Sequence, residues 1–366
     1  MKKIYDEFIN VKEKMDNIYD EILAPLKENQ SLHINMDILI KEYKKKNILV
    51  TGGAGSVGSE LCRQLLLLNA KSIIIYDIYE NASYMLYQEL LLIKEKFNSN
   101  SDIKVIIGDV SNIDSLNRVF ENNKIDYVFH AAAHKHVPLM EEVPLQAIKT
   151  NCIGSYNVMK LSKQYKVSKV LLISTDKAIN PLSVMGASKR LAEIIFNSFD
   201  INHYCVRFGN VFNSSGSVMP IFIKQILTNK KITLTSKQAT RYFMSIKEAV
   251  LLILKAMTLE SKKTYVLDMG KQISMELIAI KTIEFFNMKA NEDVIIEEIG
   301  LRKREKIKEE EIKYSLLVKT SSNNIYCFKD ESKKHITNII DFLNNIEKSK
   351  NIKEELFLFI NKNDVD

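Results

Sequence analysis

From residue 47 onward the chain alternates between short apolar runs and longer mixed stretches. The apolar runs predict five buried strands, at Asn47–Thr51, 72–76, 103–107, Tyr127–His130 and Lys169–Ile173. The mixed stretches predict helices between them, at 60–68, 82–97, 113–121 and 144–164. Short continuous apolar strands that alternate with helices are typical of a parallel sheet covered on both faces. The pattern predicts an α/β fold with a doubly wound parallel sheet.

The first 46 residues follow a different pattern. Apolar side chains recur every three or four residues, at Ile4, Phe8, Val11, Met15, Ile18 and Ile22. This spacing places them on one face of an amphipathic helix, which Pro25 should end or kink. Nine lysines against nine acidic residues leave the segment neutral, so an anchor on a membrane surface is not favoured. The helix packs either on its own domain or against another subunit, and we expect a homo-oligomer.

The pattern also predicts how the chain divides into domains. Residues 1–46 form an N-terminal helical extension, 47–210 a nucleotide-binding domain, and 211–366 a smaller substrate-binding region with C-terminal helices. A return of the chain to the first domain is left open. The highly charged stretch 297–313 predicts a surface loop and helix.

Composition narrows the class of protein. The chain has 366 residues, a formal net charge of +7, 46% hydrophobic residues and 27% charged residues, values that exclude a disordered chain. Charges interrupt every stretch long enough to span a membrane, and Lys2 and Lys3 do not lead into a secretory signal. The four cysteines are widely spaced, which fits a reducing compartment, and Cys152 and Cys205 are expected in the core. We therefore expect a cytoplasmic protein that binds no nucleic acid and no metal.

A glycine-rich loop follows the first predicted strand. Gly52, Gly55 and Gly58 form G-x-x-G-x-x-G, and Ser56 and Val57 lie at the start of the next helix. One glycine permits the turn, one lets the backbone approach a pyrophosphate, and one packs the helix against the strand. The helix N-terminus then faces the phosphate charge. This arrangement predicts a dinucleotide site.

Two carboxylates follow the next strands. Asp77 ends the second strand, where it can accept hydrogen bonds from an adenosine ribose and repel a 2′-phosphate. No arginine follows within the next few residues, so NAD is favoured over NADP. Asp109, followed by Val110, ends the third strand and either contacts the adenine or caps a helix.

A hydroxyl, a carboxylate and an ammonium group follow the fifth strand in consecutive positions: Thr175, Asp176 and Lys177. Doubly wound folds bind their ligands at this edge of the sheet. Met185 and Lys189 lie four residues apart on the next helix, so their side chains share one face.

These residues resemble the extended short-chain dehydrogenase/reductase superfamily, whose signature is Tyr-x-x-x-Lys; here Met185 occupies the tyrosine position. Methionine in this position, together with the segment S-T-D-K, resembles the sequence pattern of the polysaccharide-biosynthesis nucleotide-sugar 4,6-dehydratases that act on UDP-N-acetylglucosamine. The likeness covers about residues 45–310. It includes H-A-A-A-H-K-H-V-P-L-M-E (130–141), R-F-G-N-V-F-N-S-S-G-S-V-M-P (207–220), T-R-Y-F-M (240–244) and V-L-D-M-G (266–270).

The resemblance implies a Rossmann-like domain, NAD as the cofactor and a nucleotide sugar as the substrate. The sugar would be oxidised at C4, lose water across C5 and C6, and regain the hydride at C6. It implies that Asp176 is the acid for the C6 hydroxyl and Lys177 the base for the C5 proton. Thr175 would hydrogen-bond the C4 oxygen, and Lys189 would hold the nicotinamide ribose. Met185 has no proton to transfer, so a tyrosine-dependent alcohol dehydrogenase is disfavoured.

The resemblance implies further contacts. Ala131 and Ala132 would lie along the cofactor, and Lys135 and His136 either line the site with His134 or only shape the loop. Asn210 and Arg241 would lie near the sugar nucleotide, with a structural salt bridge as the alternative for Arg241. Arg302 and Glu305 are the remaining substrate candidates. However, the family's G-L-R-P-G-E-K reads G-L-R-K-R-E-K here, and a charged surface helix is the alternative.

Two other functions remain open at this stage. An NAD-dependent nucleotide-sugar 4-epimerase would share the cofactor site but usually retains the tyrosine. A non-catalytic NAD-binding sensor or scaffold would not need Thr175, Asp176, Lys177 and Lys189 together. The residues do not decide between UDP and GDP.

The N-terminal stripe gives a testable prediction. If the stripe pairs with another subunit, deletion of residues 1–25 lowers the oligomer mass measured by light scattering, because the deletion removes the apolar contact. An unchanged mass leaves only packing within one chain.

Overall fold

The computed structural model describes residues 22, 34–212, 214–302, 304–310, 317–328 and 336–363. The chain divides into two compact units. The large unit comprises His33–Phe208, Ala249–Asp268 and Glu310–Asp366, and the small unit comprises Met1–Leu32, Gly209–Glu248 and Met269–Glu309. Each unit is therefore assembled from three separate segments that alternate along the chain. The domains predicted from the sequence, in contrast, are three consecutive ranges: 1–46, 47–210 and 211–366. Those domain boundaries stay a prediction.

The strands of the described residues are β1 (Asn47–Thr51), β2 (Ser72–Asp77), β3 (Asp102–Ile107), β4 (Tyr127–His130), β5 (Lys169–Ile173), β6 (His203–Arg207), β7 (Asn210–Val211), β8 (Lys231–Leu234), β9 (Thr240–Arg241), β10 (Phe243–Met244), β11 (Lys263–Leu267), β12 (Ile273–Ser274), β13 (Ile295–Glu298), β14 (Leu317–Lys319) and β15 (Ile325–Phe328).

The α-helices of the described residues are α1 (Met36–Tyr43), α2 (Ser56–Leu67), α3 (Glu80–Lys96), α4 (Ile113–Asn122), α5 (Val137–Glu142), α6 (Pro144–Ala147), α7 (Gly154–Gln164), α8 (Val184–Ser198), α9 (Val218–Asn229), α10 (Ile246–Ala256), α11 (Met275–Phe285), α12 (Ile336–Ile346) and α13 (Ile352–Asn363). A π-helix, Ile148–Ile153, joins α6 to α7, and a 3₁₀ turn, Asp176–Ala178, follows β5.

The large unit is built on a nine-stranded sheet in the order β14-β15-β11-β6-β5-β4-β1-β2-β3. The strands from β11 to β3 are parallel, and β15 and β14 extend the sheet as antiparallel strands. In register, Thr51 at the end of β1 lies beside Tyr76 on one side and His130 on the other. The predicted doubly wound α/β fold is confirmed, and the carboxyl ends of β1, β2, β4 and β5 share one edge.

Two predicted helices differ from the structure. The single helix predicted at 144–164 is interrupted by the π-helix, which inserts an extra residue per turn at Asn151 and its neighbours. The helix predicted within 297–313 is also wrong for the described part of that stretch: residues 299–302 and 304–310 form loop and turn after β13. A dense run of lysine and glutamate favours exposure but does not by itself supply the apolar face that fixes a helix.

The small unit has its own apolar core. Three two-stranded pairings, β7 with β10, β9 with β12 and β8 with β13, surround it. Phe222, Phe243 and Ile278 are buried there, and so is Ile22. Ile22 is the last position of the predicted N-terminal stripe; its other members, Ile4 to Ile18, lie outside the described residues. Within the described residues, no helix is long and apolar enough to cross a membrane.

Candidate active site

The glycine loop has the shape that a dinucleotide pyrophosphate needs. Gly52 has φ +67°, and a Cβ there would lie 2.4 Å from the backbone nitrogen of Ala132. A Cβ on Gly58 would lie 2.1 Å from the carbonyl oxygen of Gly52. Helix α2 begins at Ser56, directly after Gly55, with Val57 and Gly58 in its first turn. The loop is therefore packed as closely as backbone allows and directs a helix N-terminus outward from the strand.

Asp77 is held beside this loop. One carboxylate oxygen accepts a hydrogen bond of 2.9 Å from the amide of Ala54, and the other accepts one of 2.9 Å from the amide of Tyr79. These contacts place the carboxylate at the end of β2, next to the glycines. The arrangement fits recognition of ribose hydroxyls at this point of the sheet.

Asp109 and Val110 lie at the end of the next strand. Asp109 accepts from the amide of Ser111 and is not the cap of α4, whose N-cap is Asn112. Val110 is buried, and its carbonyl accepts from the side chain of Asn157 on α7. The helix-cap alternative for Asp109 is therefore wrong, while its contact with adenine stays a prediction.

The segment after β4 runs past the glycine loop. The amide of Ala131 donates to the carbonyl of Thr51, and Ala132 lies against Gly52. Next, the backbone of His134 is held at both its N–H and its C=O by the side chain of Asn151, at 2.8 and 3.1 Å. The side chains of Lys135 and His136 are exposed. Their contact with substrate stays a prediction.

Thr175, Asp176 and Lys177 lie in the 3₁₀ turn at the end of β5. Asp176 is 5% exposed. Its Oδ1 accepts from the Thr175 hydroxyl at 2.9 Å and from Nζ of Lys177 at 3.0 Å. Its Oδ2 is buried and has no hydrogen-bond partner among the described residues. A buried oxygen without a partner costs free energy, so its presence indicates a place for a ligand.

Met185 and Lys189 lie on α8 as predicted, and both are buried. Nζ of Lys189 donates a 2.6 Å hydrogen bond to the carbonyl of Ile173, the last residue of β5. A Cβ on Gly186 would lie 2.4 Å from the carbonyl oxygen of Lys177, so the first turn of α8 packs directly on the Asp176–Ala178 turn. The structure therefore brings all five predicted catalytic residues to one end of β5.

A buried carboxylate that the sequence analysis missed fixes this end of β5. Glu193 on α8 accepts two hydrogen bonds from Arg207 of β6, at 2.8 and 2.7 Å, and one of 2.6 Å from Ser174. Burial alone would raise the pKa of Glu193, but the charges and hydrogen bonds of Arg207, with those of Arg190 and Ser174, lower it to about 2. The sequence did contain a signal for this group: a single carboxylate inside the apolar run L-A-E-I-I, where an acidic residue is rarely buried unless it is paired.

A second missed group connects the cofactor side of the sheet to α8. His130 is buried between the hydroxyls of Thr51 and Ser155, at 2.6 and 3.1 Å. Burial, reinforced by the charge of Lys189, lowers the pKa of His130 to about 3, so the ring is neutral. Because Ser155 donates to the carbonyl of Asn151, its oxygen accepts from Nε2–H of His130. The Asn151 side chain also donates to Ser188 at 2.8 Å, which extends the chain of hydrogen bonds to α8.

The other predicted substrate residues belong to the small unit. Arg241 is paired with Glu305 at 3.1 Å and Glu309 at 3.3 Å, and it donates to two carbonyls, those of Thr240 and Ile307. These are the contacts of the salt-bridge alternative, so any role in holding a diphosphate stays a prediction.

Glu305 and Asn210 complete this group. Glu305 accepts from the amide of Arg302 at 3.1 Å and from the hydroxyl of Thr235 at 2.9 Å, which closes a loop where the family pattern has Pro-Gly. Asn210 begins β7 and pairs with Phe243 of β10. The substrate contacts of Asn210, Arg302 and Glu305 stay predictions.

Three of the four cysteines are core residues, and Cys327 on β15 is only partly buried. Cys62, Cys152 and Cys205 are buried, and burial raises the pKa of the Cys152 thiol. A thiol that resists ionisation is a poor nucleophile. The prediction that Cys152 and Cys205 lie in the core is confirmed.

The buried ammonium group of Lys189 gives a testable prediction. Burial lowers its pKa to about 8, whereas the unfolded chain keeps an ordinary value near 10.5. Between these values the unfolded chain holds the proton and the folded protein does not, so the free energy of unfolding rises with pH over this range. We expect the free energy of unfolding of the wild type, relative to that of Lys189→Met, to rise over this pH range, measured by urea unfolding at several pH values.

The exposed Lys160 of α7 offers a matched control for this measurement. Lys160→Met should keep the wild-type pH dependence. Loss of the hydrogen bond to Ile173 lowers the stability of Lys189→Met at every pH and does not alter the slope. Parallel curves for the wild type and Lys189→Met would contradict the lowered pKa.

Comparison with known proteins identifies the family. The sequence profile of the polysaccharide biosynthesis protein family matches residues 48–330. The capsular polysaccharide biosynthesis protein CapD of Staphylococcus aureus is 40% identical over 316 residues, which cover 81% of this chain and 52% of that protein. The chain thus spans about half the length of this curated relative.

Two further matches are proteins with different activities. The UDP-glucose 4-epimerase of Rickettsia bellii (strain OSU 85-389) is 37% identical over 271 residues, covering 72% of this chain and 76% of that protein. The crystal structure of DesIV, a dTDP-glucose 4,6-dehydratase from Streptomyces venezuelae with NAD bound, superimposes with a TM-score of 0.63. It is 17% identical and covers 85% of this chain and 99% of that one, which supports the Rossmann-like fold. On its sequence profile and its relatives, the chain belongs to the polysaccharide biosynthesis protein family, within the extended short-chain dehydrogenase/reductase superfamily.

Proposed function

We propose that the protein is an NAD-dependent nucleotide-sugar 4,6-dehydratase that converts UDP-N-acetylglucosamine, or a close relative, to the 4-keto-6-deoxy sugar for surface glycan synthesis. The observation that carries the proposal is the unpartnered, buried Oδ2 of Asp176, beside Lys177 and with Met185 in place of tyrosine. An acid and a base are thus adjacent, and the usual phenol is missing.

The residues of the large unit fit NAD. Gly52 and Gly58 let the loop close tightly before α2, so that the N-terminus of this helix would face a pyrophosphate. Asp77 lies where ribose hydroxyls would be, and buried Lys189 supplies positive potential at the end of β5. When bound, NAD would accept a hydride from C4 of the sugar and return it to C6.

Proton movements through this chain's residues balance for such a reaction. The proton of the C4 hydroxyl passes to the Thr175 hydroxyl, and the threonine's own proton passes across the 2.9 Å hydrogen bond to Asp176. Lys177, as a neutral amine, removes the C5 proton. Asp176 then protonates the C6 hydroxyl, which leaves as water. Lys177, whose ammonium protons exchange with solvent, gives a proton to C5 as the hydride reaches C6, so both side chains end as they began.

A 4-epimerase is the second candidate, and the Rickettsia relative favours it. Epimerisation also begins with oxidation at C4 but needs no proton transfer at C5 or C6. It would leave Lys177 without a proton to remove at C5 and Asp176 without a hydroxyl to protonate at C6. The two reactions differ in product mass, because only the dehydratase loses water.

The proposal is tested by incubation of the full-length protein and NAD with a panel of UDP- and GDP-sugars in D₂O. We expect UDP-N-acetylglucosamine to give a product lighter by the mass of one water, with deuterium at C5. Lys177→Ala and Asp176→Asn should lower kcat by about 10²–10⁴-fold, the usual effect of losing a positioned acid or base. Met185→Ala should lower it less, because a thioether transfers no proton.

Several outcomes would contradict this assignment. A product of unchanged mass that is epimeric at C4 would indicate the epimerase. Bound NAD without turnover of any sugar nucleotide would favour a sensor or scaffold. Near-normal turnover by Lys177→Ala would exclude Lys177 as the base and leave Asp176, His134 and His136 as acceptors of the C5 proton.

The cofactor preference gives a separate prediction. Because the Asp77 carboxylate would repel a 2′-phosphate, the wild type should bind NAD more tightly than NADP, and Asp77→Ala should narrow the difference. Affinities are measured by titration calorimetry, with the exposed Asp114 of α4 changed to alanine as the control. Asp77→Asn removes the charge but keeps a side-chain oxygen that can accept a hydrogen bond from the loop, so it shows whether the charge itself sets the cofactor preference. Equal affinity of the wild type for both cofactors would contradict the role of Asp77.

A further inference from the structure

Helices α12 and α13 lie beyond residue 330, where the family profile ends, yet they belong to the large unit. Leu356 and Ile360 of α13 are buried in the same apolar core as Met185 of α8. The rings of Phe342 and Phe359 stack with centroids 4.2 Å apart and so join α12 to α13. The C-terminal helices are therefore fixed against the elements that carry the catalytic candidates.

One lysine of α13 reaches a buried carboxylate. Glu141, in the last turn of α5, is 4% exposed. Its Oε2 lies 3.2 Å from Nζ of Lys353, and its Oε1 accepts a 2.7 Å hydrogen bond from the backbone N–H of Val184. Glu141 ends the motif H-A-A-A-H-K-H-V-P-L-M-E, and the proposed chemistry gives it no role.

The hydrogen bond from Val184 determines where α8 begins. Val184 is the first residue of α8, so its N–H has no acceptor within the helix, and a carboxylate at this end also interacts favourably with the helix dipole. Two residues later, Gly186 packs on the carbonyl of Lys177 with no room for a Cβ. A shift of this turn would therefore move the Lys177 backbone together with Met185.

We propose that Lys353 is a positioning residue for the active site: it holds Glu141, Glu141 holds the first turn of α8, and that turn holds the backbone of Lys177. The effect on turnover rests on the proposed dehydratase function, whereas the effect on α8 does not. Small displacements of reacting groups have large effects on rate, so a contact remote from the substrate can control kcat.

The first test changes Lys353 alone. Lys353→Met keeps the apolar stem and removes the charge; kcat should fall about 10-fold while KM for NAD and for UDP-N-acetylglucosamine stays within about twofold. Lys353→Arg should restore kcat. The exposed Lys362, on the same helix, provides the control, and Lys362→Met should behave as the wild type. Wild-type kcat in Lys353→Met, or a loss that arginine does not rescue, would overturn the proposal.

The second test asks whether Lys353 acts through Glu141. If it does, Glu141→Gln combined with Lys353→Met should be no slower than Glu141→Gln alone, because both changes break one chain of contacts. Losses that multiply would show independent effects and overturn the proposal. If Glu141→Gln fails to fold, the Lys353→Met and Lys353→Arg variants and the exchange measurement below still test the positioning role of Lys353.

The third test needs no substrate and separates this inference from the dehydratase proposal. Amide hydrogen exchange is followed by mass spectrometry in the full-length protein with NAD. Exchange over 184–190 should be faster in Lys353→Met than in the wild type or Lys362→Met, while exchange over the strands β1 to β5 stays the same. Unchanged exchange over 184–190, or faster exchange throughout the large unit, would overturn the positioning role even if no sugar is turned over.

Discussion

The end of the large unit that carries the catalytic candidates depends on the buried carboxylate of Glu193. It joins α8 to β6 through Arg207 and to the end of β5 through Ser174. Removing one member would leave a buried charge unpaired, which is costly in a protein interior. With Glu193 in place, the turn that carries Asp176 and the helix that carries Lys189 have one fixed relation. The proposed acid, base and ammonium group are thereby pre-organised.

A chain of hydrogen bonds between uncharged groups complements this ion pair and connects β1 to α8. It runs from Thr51, beside the glycine loop, through His130 and Ser155 to the π-helix at Asn151. Asn151 then holds both the backbone of His134 and the hydroxyl of Ser188 on α8. Because every member is paired, the network can be buried without a large desolvation cost. One continuous network of hydrogen bonds therefore joins the end of β1, beside the glycine loop, to α8.

The chemistry proposed for this site uses few groups. Asp176 offers a buried oxygen, Lys177 contacts the other oxygen, and Thr175 connects both to a substrate hydroxyl in the proposed mechanism. Lys189 keeps its ammonium group in a desolvated position, where its charge acts over a longer range than it would in water. In the small unit, Arg241 is paired with two carboxylates, Glu305 and Glu309, and its part in substrate binding stays a prediction.

The sequence by itself determined the positions of strands β1 to β5, the glycine loop, Asp77 and the five catalytic candidates, because these follow from local patterns of apolar runs, glycines and short motifs. It did not determine the π-helix at Asn151, the pairing of Glu193 with Arg207 or the contact of Lys353 with Glu141. These join residues that are distant in the chain, or depend on packing against several elements at once. Only the tertiary structure decides which buried charge meets which partner, since the cost of burial falls with the partner that the fold brings near.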